Sequence, residues 1–333
     1  MLRRSLRYPY AATRARALAA GFLHYQEYQE LTRLSGVDEG LSRLREKGML
    51  PAQFSRDVGN VAAAFLTFGR SIARTLAGAD RALVEGYLNR VDVENLKVVC
   101  RGLIRDRGGE AIRPLLTPGG SEPRFAPERL GQARSLEELA TFLPPNAFRW
   151  IIHNSADLPA EKRLFTLESE LDRAYWQGIA LLLKRLAPLD RLGAGEILSL
   201  RADIDRFNVI HRGLQAGLEA RAILAILPPG DGAFSVGRLG KVLTSASPIE
   251  ALAEAFPVPE VSNPLSPEGE VALRRRLRRH LRRVLRSHPF DISVSLAALL
   301  LKEIEVRDLE VVLSGLRLGK SDKIDELLTT GKG

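Results

Sequence analysis

The sequence predicts an all-α fold made of three repeated helical units, and three observations carry that expectation. Residues 92–103 (DVENLKVVCRGL), 203–214 (DIDRFNVIHRGL) and 305–316 (EVRDLEVVLSGL) align without a gap. Each reads as an acid, Val or Ile, two variable residues, Leu or Phe, one variable residue, Val, Val or Ile, two variable residues, then Gly-Leu. The copies recur at nearly even intervals, and three such intervals fill the 333 residues, which is the signature of a triplicated scaffold. The repeat itself is helical, because its first, fifth, eighth and twelfth positions form one stripe on a helix of 3.6 residues per turn. Composition agrees: 45% of residues are apolar and only 6% aromatic.

Taken in order, the chain opens with residues 1–18 (MLRRSLRYPYAATRARAL), which precede any acid and have the composition of an organelle transit peptide. Ala and Arg are strong helix formers, and Leu18, Phe22 and Tyr25 stand at helical spacing, so a first folded helix is the expectation here. A fainter echo precedes each repeat: residues 37–44 (VDEGLSRL), 136–143 (LEELATFL) and 249–256 (IEALAEAF) read as short amphipathic helices. Stretches 114–127 (PLLTPGGSEPRFAP) and 227–232 (LPPGDG) have linker composition. They divide the chain into units 1–115, 116–229 and 230–333. Residues 257–267 (PVPEVSNPLSP) read as an ordered loop within the last unit.

Asp92, Asp203 and Glu305 top the repeat stripe, and an acid in a first turn is stabilised by the helix dipole, so they are expected near helix starts in a structural role. Gly102, Gly213 and Gly315 stand one position before the closing Leu, where an interior Gly costs about 1 kcal/mol relative to Ala. Three such costs in register imply either close approach of another helix or termination of the helix at the Gly.

The formal charge of +9 is concentrated in residues 271–286 (VALRRRLRRHLRRVLR), with eight arginines and no acid. Leu273, Leu277, Leu281, Val284 and Leu285 form the apolar stripe of this helix. The arginines fit a solvated scaffold face, a contact with acidic protein or lipid headgroups, or a nucleic-acid surface. Aromatic residues are absent from the helix, which argues against stacking on single strands. Arg274, Arg275, Arg278, Arg279, Arg282 and Arg286 are the candidate partner contacts.

Chemistry-bearing motifs are lacking. Residues 315–321 (GLRLGKS) imitate a phosphate loop, but the required first Gly falls at position 314, occupied by Ser314, and a helix precedes it where a strand is needed. His24, His153, His211, His280 and His288 are scattered, without metal-ligand spacing. His211, at a variable repeat position, reads as a packing residue. No nucleophile elbow or dinucleotide fingerprint exists, so no cofactor, metal or catalytic residue is assigned. The single cysteine, Cys100, suits a reducing compartment and a packing role, and the apolar run 294–301 is too short to span a bilayer. The inventory describes a binder or coupler.

Residues 289–328 (PFDISVSLAALLLKEIEVRDLEVVLSGLRLGKSDKIDELL) closely resemble the C-terminal signature of the C subunit of archaeal and bacterial A/V-type rotary ATPases, the counterpart of the eukaryotic V-ATPase d subunit. The most specific part is the core Lys-Glu-x-Glu-Val-Arg-x-Leu from Lys302 to Leu309. Residues 92–96 (DVENL) and 8–18 (YPYAATRARAL) resemble the first-repeat helix and the N-terminal start of the same family. The chain departs at Asp308, where the family usually has Asn. The resemblance implies a funnel of three pseudo-threefold-related helical units without a catalytic site, on the cytoplasmic face of the membrane. Its implied partners are the central stalk and the proteolipid subunits of the rotor ring. The alternative class is a helical, Arg-rich nucleic-acid-binding adaptor.

Overall fold

A computed structural model describes residues 7–49, 59–117, 126–155, 158, 160–245, 247–258, 261, 265–287, 291–320 and 324–331. Among these residues every regular element is helical and none is a strand. The first third holds α1 (Pro9–Ala19), α2 (Tyr25–Thr32), α3 (Val37–Glu46), α4 (Gly59–Ala73), α5 (Gly78–Leu88), α6 (Arg90–Ile104) and α7 (Gly109–Ile112). The middle holds α8 (Pro127–Leu130), α9 (Leu136–Phe142), α10 (Ala147–Asn154), α11 (Ala160–Lys184), α12 (Pro188–Gln215) and α13 (Ala220–Ile226). The last third holds α14 (Val236–Leu243), α15 (Pro248–Glu254), α16 (Pro267–Ser287), α17 (Ile292–Leu318) and α18 (Ile324–Leu327).

The three echo segments fall on α3, α9 and α15, as their amphipathic spacing requires. Residues 227–232 are non-helical between α13 and α14. Of the first break, 118–125 lie outside the described residues, as do 259, 260 and 262–264 of the loop before α16. One local expectation fails. Leu18, Phe22 and Tyr25 do not share a helix: α1 stops at Ala19, Phe22 lies in the turn, and Tyr25 opens α2. The face that α1 buries is made instead of Ala11, Ala12 and Ala15, whose small side chains let it lie close to α17.

The three repeats lie on α6, α12 and α17. Asn89 keeps right-handed helical angles, so α5 leads into α6 with a one-residue break. Every residue from Ile292 to Lys302 of α17 is buried, and the helix is flanked by α1, α4, α12 and α16. A helix apolar on all sides needs partners on all sides, which is why the run 294–301 is core.

The C-terminal ends of these helices are built alike. The N–H groups of Arg107, Leu218 and Lys320 reach back to the carbonyls of Gly102, Gly213 and Gly315 at 2.9–3.0 Å. Between them a left-handed residue turns the chain: Asp106 (φ 52°), Gly217 (φ 65°) and Gly319 (φ 64°). This wrap satisfies the last carbonyls of a helix. The chain then returns across the repeat glycine. A β-carbon at Gly102, Gly213 or Gly315 would come within 2.4–2.8 Å of Ile112, Ile223 or Ile324, on α7, α13 and α18. Close approach is therefore the reason for the glycines, since each helix runs two or three residues past its Gly.

The returning stretch of backbone is locked by the fourth residue of each repeat, which the alignment leaves variable. Asn95 donates to the carbonyl of Thr117 (3.0 Å) and accepts from its N–H (2.8 Å). Arg206 donates to the carbonyls of Pro228 (3.0 Å) and Pro229 (2.5 Å). Asp308 accepts from the N–H groups of Thr329 (2.9 Å) and Thr330 (2.8 Å). The chemistry follows the segment being held. Two prolines offer only carbonyls and require a donor; two threonine amides require a carboxylate; Thr117 presents both, and an amide side chain answers both.

Candidate functional site

Two residues along a helix rotate direction by about 200°, so positions offset by two from the acid stripe point the opposite way. These positions line one cavity of about 520 Å³ between the three repeat helices. From α6 come Arg90, Glu94, Lys97 and Arg101; from α12, Arg201, Asp205, Asn208 and Arg212; from α17, Glu303, Arg307 and Glu310. Each set stands two before and two, five and nine after its repeat acid, with Ser314 the one equivalent position that does not line the cavity.

At the N-terminal end of the stripe the charges close into a cycle that joins all three helices. Arg90 grips Asp205 with both terminal nitrogens (2.8 and 3.1 Å). Asp205 also accepts from Arg201 (2.9 Å) and from the Trp176 indole N–H (2.9 Å). Arg201 donates to Glu303 (2.8 Å), which receives Tyr87 O–H and lies 3.5 Å from Arg90 Nε. Burial opposes the Asp205 carboxylate, but Arg201 and Arg90 overcome it and hold its pKa well below the usual range. Glu303 is likewise lowered against burial by Arg201 and Arg90. Charges removed from water are stable only with such complete pairing.

Further along, Lys97 bridges Asp172 (2.6 Å) and Glu94 (3.1 Å), and Glu168 is held between Arg101 and Arg212. Asp172 is pushed up to about 6 by burial and by the charges of Asp205 and Glu94, against the pull of Lys97. The side chains of the cycle are largely shielded, from 4% (Arg201) to 20% (Glu303) exposed, whereas Glu94 (44%), Arg307 (51%), Arg101 (42%) and Arg212 (47%) are open to solvent. The cavity thus joins one shielded cycle to several solvent-open charges.

The repeat acids are all buried, but two of them are not at helix starts as expected. Asp203 is mid-way along α12 and accepts from the backbone N–H of Ala233 (2.9 Å) and Phe234 (3.2 Å) and from Arg206 (2.8 Å). Glu305 is mid-way along α17 and accepts from the N–H of Leu23 (2.7 Å) and from Lys302 (2.5 Å). Their burial is explained by incoming backbone that needs an acceptor rather than by the helix dipole. Asp92 alone lies in a first turn, that of α6.

The six candidate arginines separate. Arg274 bonds Glu270 (2.9 Å) and lines the central cavity, whereas Arg275, Arg278, Arg279, Arg282 and Arg286 stand around a different cleft. Cys100 is wholly buried, and burial raises its thiol pKa. His211 lies beside Phe207 with ring centres 5.9 Å apart. The phosphate-loop imitation is the end of α17, with Gly319 as its left-handed cap; Ser321 lies outside the described residues, as does His288. Sequence reasoning missed the charged cavity stripe, although its spacing of four, three and four residues repeats in all three copies.

The sequence model of the family described as ATP synthase (C/AC39) subunit matches residues 11–327. The chain is similar to the A-type ATP synthase C subunit of Methanosarcina mazei, 22% identical over 96% of this chain and 92% of that protein. It is also similar to the A-type ATP synthase C subunit of Methanosarcina barkeri, 24% identical over 63% of this chain, where the match spans 60% of the relative's length. The V-type ATP synthase C subunit of Deinococcus radiodurans is 28% identical over 70% of this chain and 62% of its own. Among the described residues no helix is long and apolar enough to cross a membrane. A family match over nearly the whole length places the chain: it belongs to the C/AC39 subunit family of the A/V-type ATP synthases, structural and non-catalytic subunits of those complexes.

Proposed function

We propose that this chain is the central-rotor adaptor of its ATPase, a funnel on the cytoplasmic face that receives the central stalk and seats on the membrane rotor ring. Three units, 1–115, 116–229 and 230–333, related by a pseudo-threefold axis, form the funnel in this reading. The observation that carries it is the cavity framed by equivalent stripes of α6, α12 and α17 and tied across by the Arg90–Asp205–Arg201–Glu303 cycle. An inserted stalk tip meets fixed, paired charges at the cycle and more exposed charges, Arg101, Arg212 and Arg307, elsewhere on the lining.

Torque transfer needs a receiver that does not deform under load. Interiors packed to crystal-like density resist compression, and a fully satisfied polar network fixes one arrangement of the helices that carry it. The cycle ties residues of three separate helices, so a push on one is shared by all. Native pull-down from detergent-solubilised membranes tests the reading: stalk and proteolipid ring subunits should co-purify with the tagged chain. Recovery with nucleic acid and without ATPase subunits would overturn it in favour of a nucleic-acid adaptor built on the eight arginines.

A further inference from the structure

Among the described residues, α16 carries most of the uncompensated charge of the protein. Its Leu273, Leu277, Leu281 and Val284 are buried against the core, so the arginines are forced onto its outer flanks. Arg275, Arg278, Arg282 and Arg286 recur at steps of three, four and four residues and form one wall of a cleft of about 860 Å³. Arg279 and Arg283 line the same cleft, with Tyr25 and the Thr329 segment opposite. Among the described residues, six guanidinium groups thus share a concavity whose lining holds one carboxylate, Asp325. Arg275 is committed to the carbonyl of Leu328 (3.0 Å). Among the described residues no carboxylate forms an ion pair with Arg279, Arg282, Arg283 or Arg286. The like charge of Arg282 adds to burial in lowering the pKa of Arg278.

Clustered like charges at this separation repel one another and weaken the fold unless something neutralises them. We infer that this cleft is the docking site of an acidic polypeptide segment, whose carboxylates pair with Arg278, Arg279, Arg282 and Arg286. Guanidinium forks match carboxylates two bonds at a time. The shape selects among anions. Arg278 and Arg282 are half-buried in the concavity, within reach of side chains that enter it but not of a flat headgroup layer. The helix also offers no exposed apolar side chain to insert into a bilayer, because its leucines and valines face inward or are half-buried. A second cleft across the α16 ridge, of about 870 Å³, shares Arg279 and Arg283 with the first but already contains Glu196 and Asp203, so it is the less demanding site. The inference deepens the adaptor reading by giving the chemistry of one of its partners, and rests on that reading only for which subunit supplies the segment.

Fluorescence anisotropy with a fluorescein-labelled oligoglutamate peptide tests it on the full chain. The wild type should bind in about 0.1 M salt and release the peptide in about 1 M salt, where the screening length falls to about 3 Å. The combined Arg279→Gln, Arg282→Gln and Arg286→Gln protein should lose about tenfold in affinity. Arg33→Gln, Arg105→Gln and Arg107→Gln, changed together at exposed positions elsewhere, should leave binding intact. If the glutamine protein melts early, the matching triple Lys variant, which keeps the charge, supplies the comparison and should still bind. Peptide binding absent in low salt, or equal in the glutamine variant, overturns the inference. So does tighter binding to phosphatidylserine vesicles or duplex DNA than to the peptide. The assay contains no other subunit, so its failure is separate from failure of the pull-down.

Discussion

The hydroxyl of Tyr8 lies 2.9 Å from a carboxylate oxygen of Asp190, 182 residues away, and is equally close to Asp80. All three residues are buried, and they join the starts of α1, α5 and α12. The one phenol hydrogen is divided between two carboxylates, and Arg7 also pairs with Asp80 at 2.6 Å. Burial, reinforced by the charge of Asp190, raises the Asp80 pKa against the pull of Tyr8 and Arg7. A folded-state pKa above the unfolded one gives stability that is present below the ordinary aspartate range and lost as pH rises through the folded value. Asp80→Asn, which carries its own N–H, should therefore melt at or above the wild-type temperature at about pH 8 and flatten the slope above about pH 4. An unchanged pH slope in thermal melts contradicts the raised Asp80 pKa.

The central cavity has two opposed pH responses. Asp205 and Glu303 have lowered pKa values, so their contribution is present above the ordinary carboxylate range and disappears as pH falls below it. Asp172, raised to about 6, acts in the other sense: its contribution is lost as pH rises through about 6. Asp205→Ala should cost about 3–5 kcal/mol at neutral pH, because it leaves the shielded Arg90 and Arg201 to share Glu303 without their closest carboxylate. Urea denaturation gives the value; a loss below about 1 kcal/mol would mean the cycle is solvated.

The repeat glycines have an internal control. Gly102→Ala places a β-carbon 2.5 Å from Ile112 Cγ1 and should destabilise by about 1–3 kcal/mol. Gly178 also lies inside a helix, but a β-carbon there meets nothing within 4 Å. Gly178→Ala should stabilise by up to about 1 kcal/mol. Equal effects of the two changes in a denaturant series would remove the close-approach account.

Asp106 is the single non-glycine residue with positive φ among those described, at a cap where the other repeats have glycine. Asp106→Gly should therefore raise stability by about 0.5–1 kcal/mol, read as a higher urea midpoint. A lower midpoint would show that the Asp side chain holds the turn.

The fourth-position locks should not be interchangeable. Asn95→Asp turns a donor into an acceptor facing the Thr117 carbonyl, and Asp308→Asn turns an acceptor toward an N–H into a donor. Each should cost about 1–3 kcal/mol by leaving a buried group unsatisfied. Chemical denaturation of the two single variants checks this, and neutrality of either would mean that the local backbone re-forms its bonds elsewhere.

These locks also mark where the sequence stopped being legible. The stripe of acid, Leu, Val and Leu repeats its chemistry, so α6, α12 and α17 and the short helices before them could be read from periodicity. Asn95, Arg206 and Asp308 share no property, and their equivalence appears only against the segment each one holds. The cavity stripe was hidden for a different reason. Arg90, Glu94, Lys97 and Arg101 have the spacing and mixed sign of an ordinary solvated helix face, and nothing local says that two further helices enclose it. Burial of the repeat acids was unreadable because their backbone partners, such as Leu23 for Glu305, lie far away in sequence.

A chain that carries three similar copies of one motif faces a hazard that a unique sequence does not: a copy can dock into the place of another while folding. The shared apolar stripe cannot prevent this, since it suits every position equally. The three locks can. A segment led by Pro228 and Pro229 offers Asp308 only carbonyls, which its carboxylate repels, and a segment led by Thr329 and Thr330 turns its amides toward the guanidinium of Arg206. Each mismatch leaves buried polar groups unpaired, so wrong pairings are penalised where right ones are silent. The fourth residue of each repeat works as an address, and the variability that made it look unimportant is what lets it tell the copies apart.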